Sequence, residues 1–200
     1  TWGFAFGKFF SDPVWWFYLF WLPLYLYNVR GQKMDEVKWI LPFIYLVADV
    51  GSVAGGWISG VFLRRGWTVS KARKATMLLC AACAPIAAAG VLVENLYGTI
   101  LLFSLATAAH QGWSANLYTT VSDVFPKPAV ASVTGIGGFM GGLSGFIFSA
   151  IIPGYVVPIV GYKALFLGMS VFYFIGLFCL HKLMGDIKPI RMPVAAPEAV

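Results

Sequence analysis

The sequence predicts an all-α membrane protein with six transmembrane helices, and two observations support this. Hydrophobic residues make up 60% of the 200-residue chain and charged residues only 11%, whereas a soluble domain has about 25% charged residues. The apolar residues also form six continuous runs, without the alternation of period two that barrel strands require. Because so few charges cannot cover a soluble surface, we expect a lipid bilayer around the chain.

The six apolar runs are joined by short polar connections. An α-helix needs about 20 residues to cross a bilayer. The predicted spans are residues 13–29, 39–63, 75–93, 96–122, 130–153 and 164–181. The fifth run is longer than one span needs, so we expect a loop near Pro153–Pro158. The spans form a transmembrane unit of residues 13–185, and the proline-rich residues 186–200 are expected to be a disordered tail.

The basic residues predict the orientation of these spans. Six spans place both termini on one side of the membrane, and that side holds ten Lys and Arg residues against four on the other. The positive-inside rule therefore places both termini in the cytoplasm. The net charge of +6 does not indicate nucleic-acid binding, because the basic residues lie in short loops rather than on one face of a soluble domain.

Two ionisable side chains fall inside predicted spans. Asp49 lies near the middle of the second span, on one helical face with Tyr45 and Ser52. A carboxylate there is costly, so it indicates a coupling or ligand role, with a hydrogen-bonded packing role as the alternative. His110 lies near the middle of the fourth span and is either a proton relay or a buried core histidine with its hydrogen bonds satisfied.

The fourth span is the most polar of the six. Gln111, Ser114 and Tyr118 recur at one helical face, while Asn116 lies off it. Trp113 offers a flat apolar surface of the kind on which sugar rings stack. Polar groups in hydrocarbon need partners. The pattern therefore favours a helix that faces a binding site rather than lipid.

The first span is rich in aromatic residues and contains Pro23, which is expected to kink it. Tyr18 and Trp21 lie three residues apart and are candidates to line a cavity. The alternative for most of these aromatic residues is packing or an interfacial belt.

Glycines dominate the fifth span. Gly137, Gly141 and Gly145 form successive small-xxx-small steps, and Gly138 and Gly142 form another. Such steps let helix backbones approach closely. We therefore expect tight helix packing along this span.

The segment Gly142–Gly145 also matches the GxSG pattern of rhomboid-like intramembrane proteases. A serine nucleophile needs a base within hydrogen-bond reach. His181 lies at the end of a span, away from the expected depth of Ser144, and His110 precedes Ser144, contrary to that family's order. The protease is therefore a remote alternative.

Four stretches together resemble the C-terminal half of a major facilitator superfamily transporter. More narrowly, they are similar to the anion:cation symporter family, and the first and last are most similar to its hexuronate transporters. The stretches are Ser11–Pro23, Ala48–Gly56 with Arg64–Gly66 and Ala72–Lys74, His110–Pro126, and Thr134–Gly145.

The resemblance implies a function. The six spans would be helices seven to twelve of a bacterial inner-membrane transporter, with residues 1–12 as the cytoplasmic end of its central linker. The protein would not be an enzyme and would need no cofactor or metal. It would import a small organic anion, such as a hexuronate or aldonate, by proton-coupled alternating access. Tartrate, phthalate or glycerate are alternative substrates. An N-terminal six-helix half would be missing from this chain and would carry the proton-titrating residue.

The candidate site residues fall into three groups. Hydrogen bonds to sugar hydroxyls are expected from Gln111, Ser114 and Asn116. The shape of the cavity is expected to come from Trp16, Tyr18 and Tyr45. An internal polar or coupling network is expected to include Asp49 and His110.

Overall fold

The described part of the chain is helical throughout. The computed structural model describes residues 1–190, and these contain no β-strand. The elements are α1 (Trp2–Asn28), α2 (Met34–Arg64), α3 (Val69–Cys83), α4 (Ile86–Leu92), α5 (Leu96–Val124), α6 (Lys127–Gly145), a π-helical segment (Phe146–Ile151) and α7 (Ile152–Met184). The all-α prediction is confirmed for these residues.

Three helical stretches are long and apolar enough to cross a membrane, namely Met34–Arg64, Val69–Leu92 and Lys127–Met184. The last contains one residue without helical dihedral angles, Gly161, with φ 75° and ψ 176°. This conformation is open to glycine because it has no Cβ. The predicted loop near Pro153–Pro158 is instead helical, and the helix is interrupted at Gly161. Pro153 lies directly after the π-helical segment, inside this continuous helical stretch.

Local sequence signals account for several helix ends. The side-chain oxygens of Thr68 and Asn95 accept backbone N–H bonds at the starts of α3 and α5, as N-cap residues do. The turn that separates α3 from α4 contains Pro85, which lacks the N–H that a continuing helix would use.

Both ends of the described part of the chain pack against the helical unit. Residues 2–12, expected to end a linker, are the first part of α1, and Phe4 and Lys8 are buried there. Of the tail expected at 186–200, residues 191–200 lie outside the described part. Ile187 is buried, and the backbone N–H of Ile190 donates to the carbonyl of Val124 over 2.8 Å.

Glycines allow α2 and α5 to pack backbone against backbone. A Cβ at Gly55 would lie 2.5 Å from the Cα of Gly112, and one at Gly51 would collide with the backbone of Ala108. The Asn116 side chain of α5 donates to the carbonyl of Gly55 over 3.0 Å. Small residues at such a contact allow the close approach.

The glycine steps of α6 pack against α1, as the sequence predicts for close helix contact. A Cβ at Gly137 would collide with Phe4, one at Gly141 with the Asp12 carboxylate, and one at Gly145 with Trp16. The second step has a different environment, because no described residue outside α6 lies within 4 Å of a Cβ built at Gly138 or Gly142. One face of α6 is therefore filled by α1 and another is open among residues 1–190.

An aromatic cluster joins α1, α5 and α7. Phe166 lies 4.8 Å from Phe17 and 5.0 Å from Phe103, between ring centroids, and Tyr18 and Tyr25 pack around it. All five side chains are buried. The cluster fixes α1 beside α5, and this places the candidate site between them.

Candidate functional site

A polar cleft of about 260 Å³ lies where α1 runs beside α5. It is lined by Lys8, Asp12, Trp15, Trp16, His110, Gln111, Ser114 and Tyr118. Concave sites with a few polar groups among aromatic side chains are typical of small-molecule binding. Four of the predicted site residues meet here: Trp16, His110, Gln111 and Ser114.

A buried ion pair forms part of the cleft wall. The Lys8 ammonium lies 2.7 Å from the Asp12 carboxylate, one helical turn along α1, and their side chains are only 6% and 16% exposed. The ammonium also lies 4.3 Å from the centroid of the Tyr118 ring, at cation–π distance. Charges removed from water are costly unless they are paired. The pair therefore keeps two charges in the cleft at a net charge of zero.

Another part of the wall is built around His110. Its ring stacks on Trp15 with centroids 5.0 Å apart and planes 13° apart. Its Nδ1 lies 2.7 Å from the hydroxyl of Tyr173 on α7. The imidazole is thus held on two sides, and its orientation in the cleft is fixed by α1 and α7 together.

Gln111 and Ser114 are half-buried in the cleft. Neither side chain makes a hydrogen bond to another of the described residues. An amide and a hydroxyl in this state leave their donors and acceptors free for a ligand. Trp16 adds an indole ring that is partly exposed and stacked on Phe20. These three residues, expected to belong to a binding wall, lie together in the cleft, and their contact with a ligand stays a prediction.

Asn116, Tyr18 and Trp113 lie outside the cleft. The Asn116 amide donates to the carbonyls of Gly55 and Gly112, which joins α2 to α5. Tyr18 belongs to the aromatic cluster, and Trp113 is fully buried. These placements favour packing roles over the expected contacts with a substrate, because each side chain is enclosed by neighbouring helices.

Tyr45 and Asp49 lie one helical turn apart on α2 but have different surroundings. The Tyr45 ring packs edge-on against Trp15 at 5.6 Å between centroids, behind the cleft. Asp49 is exposed and has no ion-pair partner among residues 1–190. Tyr45 therefore supports a ring of the cleft, while Asp49 lies outside it.

Sequence reasoning missed Lys8, Asp12 and Trp15. The linker expected at residues 1–12 contains Lys8 and Asp12, because the first predicted span begins after the last of these charges. The available signal was their i, i+4 spacing, which lets opposite charges pair on one helix. A paired Lys and Asp can enter an apolar helix that neither could enter alone.

The protease alternative has no support from this geometry. Ser144 is buried, and its hydroxyl donates to the carbonyl of Gly141 over 3.0 Å. Within the described part of the chain, no histidine nitrogen lies within hydrogen-bond distance of Ser144. Residues 1–190 also contain no cluster of side chains that could hold a metal ion.

Comparison with known proteins identifies transporters. No protein-family model matches the chain. It is 31% identical over 192 residues to a hexuronate transporter of Escherichia coli (strain K12), covering 96% of this chain and 44% of that protein. It is 25% identical over 190 residues to a probable galactarate/D-glucarate transporter, GarP, of the same strain, covering 95% and 43%.

A D-galactonate transporter of Escherichia coli O6:H1 is 26% identical over 184 residues, covering 92% of this chain and 42% of that protein. The chain thus spans less than half the length of these relatives, all of which are named as transporters and not as enzymes. Their names and the long apolar helices together identify a multi-pass membrane protein. The chain is a homologue of bacterial sugar-acid transporters, in agreement with its resemblance to half of a major facilitator superfamily protein.

Proposed function

We propose that the protein containing this chain is a secondary active transporter of sugar acids, such as hexuronates or aldonates. One observation carries the proposal. An apolar helical unit related to sugar-acid transporters contains a cleft with an unbonded amide, an unbonded hydroxyl and indole rings. Hydroxyl-rich anions need such donors and acceptors, whereas an apolar substrate would leave them unpaired at a cost.

The proposed architecture is six spans that form helices seven to twelve of the complete transporter. In this arrangement α3 and α4 act as one span, and Gly161 divides residues 127–184 into two. A further six-helix half covers the cleft from the other side, so that the substrate lies between the halves. Both termini of this segment face the cytoplasm, in the bacterial inner membrane.

The proposed roles follow from the cleft geometry. Gln111 and Ser114 bind sugar hydroxyls, and Trp16 shapes the wall beside them. Import is driven by the proton gradient without a cofactor and proceeds by alternating access. His110 belongs to the internal network of the cleft, and Asp49 faces outward from α2, where it contributes to coupling through the other half.

The test is uptake of labelled D-galacturonate, galactarate and D-galactonate by cells that lack their own sugar-acid transporters and make the complete gene product. We expect accumulation that a protonophore abolishes. Gln111→Ala and Ser114→Ala each reduce uptake about three- to tenfold, the loss expected for one or two hydrogen bonds. The matched control is Ser122→Ala, because Ser122 is exposed on the same helix and donates only to the carbonyl of Thr119.

Failure to accumulate any of the three acids would contradict the proposal. The same assay with tartrate, phthalate and glycerate separates the alternative organic anions from sugar acids.

A further inference from the structure

We propose that Asp12 is an internal counter-ion that the carboxylate of a sugar acid displaces from Lys8. The inference rests on the proposed function and assigns the recognition of the substrate's charge to this ion pair. It predicts that Lys8 has alternative partners, Asp12 in the empty cleft and the substrate in the occupied one.

The charges in the cleft support an exchange of partners. Among the described residues that line it, Lys8 provides the fixed positive charge and Asp12 the fixed negative charge. A substrate carboxylate that approached Lys8 while Asp12 remained would place two anions beside one ammonium, which is unfavourable. The Lys8 ammonium has three N–H donors. The Tyr118 ring, 4.3 Å away, helps to hold the ammonium in place and carries no negative charge.

The Asp12 carboxylate has few interaction partners other than Lys8. Its other partner is the hydroxyl of Ser11, which donates to Oδ1 over 3.3 Å. Gly141 of α6 packs against Oδ2, the oxygen that faces Lys8, and offers no side-chain donor. A carboxylate left buried without a cation is strongly disfavoured. Asp12 released from Lys8 therefore takes a proton from solvent, and the charge in the cleft stays balanced by the incoming carboxylate.

The other titratable groups near Asp12 do not replace it as the proton acceptor. They are Lys8 on α1, His110 and Tyr118 on α5, and Tyr173 on α7. The contact from α6 is Gly141, which has no side chain. His110 shares a hydrogen bond with Tyr173 through Nδ1. Asp12 is the acidic group that contacts Lys8, the cation that the substrate would bind. The exchange therefore links substrate binding to proton uptake.

The experiment measures binding to the purified complete gene product by calorimetry, with D-galacturonate as the anionic probe and galactose as the neutral one. Lys8→Met is expected to weaken galacturonate binding at least about tenfold, the loss of one charged hydrogen bond, and to leave galactose unchanged. Asp12→Asn is expected to tighten galacturonate binding by about tenfold, because the competing anion is gone. Lys8→Arg keeps the charge and is expected to retain binding.

Proton uptake gives an independent readout on the wild-type protein. The heat of galacturonate binding is expected to differ between buffers of different ionisation enthalpy, and Asp12→Asn is expected to remove that difference. Lys38→Met and Asp35→Asn are the matched controls, because these residues form an exposed pair of the same length. Both are expected to bind like the wild type.

Several results would overturn the exchange. If Asp12→Asn weakens galacturonate binding as much as Lys8→Met, Asp12 only positions Lys8. If wild-type binding is accompanied by no proton uptake, Asp12 is not released. If Lys8→Met binds galacturonate normally, the exchange fails while the transport proposal stands. If the wild-type protein binds no sugar acid at all, the transport proposal fails and the exchange with it.

Discussion

Two lysine–aspartate pairs in this chain have the same length and opposite surroundings. Lys8–Asp12 in α1 and Lys38–Asp35 in α2 are each 2.7 Å long, but their side chains are 6% and 16% exposed in the first and 58% and 87% exposed in the second. Exposed pairs contribute about 0–1 kcal/mol to stability. Removing one partner of a buried pair costs about 3–5 kcal/mol, because it leaves an uncompensated charge. Burial, rather than distance, therefore distinguishes the pair with a proposed role.

The largest expected effect comes from Lys8→Met, which leaves Asp12 buried without a cation. We expect a loss of about 3 kcal/mol in stability, measured as the midpoint of thermal unfolding in detergent. The double variant Lys8→Met/Asp12→Asn removes both charges and is expected to recover most of that loss. A double variant as unstable as the single one would show that packing of the Lys8 stem, and not charge, is what stabilises α1.

An intermediate pair sharpens the comparison. Arg73 lies 2.9 Å from Asp123, with side chains 13% and 22% exposed, and donates to the Ser59 hydroxyl over 2.7 Å. It joins α2, α3 and α5 away from the cleft. Arg73→Met is expected to cost about 2 kcal/mol in the same unfolding assay, the scale of charged hydrogen bonds. The ratio of galacturonate to galactose binding is expected to stay unchanged, and a change in it would place Arg73 in recognition.

Gly141→Ala tests the support of the buried pair from α6. The new Cβ collides with the Asp12 carboxylate, so we expect a cost of about 1–3 kcal/mol from overpacking and weaker galacturonate binding. Gly142→Ala is the matched control, since no described residue outside α6 lies within 4 Å of that position. Equal effects of the two substitutions would mean that helix propensity, rather than Asp12, governs the result.

The smallest effect is expected from Lys38→Met. The pair with Asp35 is exposed at the start of α2, so its loss should change stability by less than about 1 kcal/mol and uptake not at all. High salt should reduce even that difference. A loss comparable with that of Lys8→Met would break the comparison between the two regions.

Helical periodicity predicted the part of the site that lies on α5. Gln111 and Ser114 share a face by spacing alone, and that face meets the cleft. The glycine steps likewise predicted close helix packing along α6, which occurs against α1 at Gly137 and Gly141; they did not identify α1 as the partner, and the step at Gly138 and Gly142 makes no such contact. Both features are local patterns whose physical meaning does not depend on distant parts of the chain.

Features that depend on tertiary packing could not be predicted from the sequence. Aromatic residues surround α1, and only packing shows that Trp15 reaches the cleft beside Trp16 while Tyr18 enters the core. Asn116 donates to the carbonyl of Gly55 on α2, a partner that no property of α5 reveals. The interruption at Gly161 was not predicted, because Pro153 and Pro158 are stronger local helix-breaking signals, yet both lie within the helix.

The π-helical segment Phe146–Ile151 keeps a row of small residues, which begins with Gly137, Gly141 and Gly145, on the side of the helix that faces α1. Residues spaced by four in an α-helix drift roughly 40° around its axis at each step, so the row that begins at Gly137 would turn away from α1. The wider π turn winds more slowly and offsets that drift. Ser149 therefore continues the row, and its hydroxyl donates to the carbonyl of Pro13 over 2.6 Å.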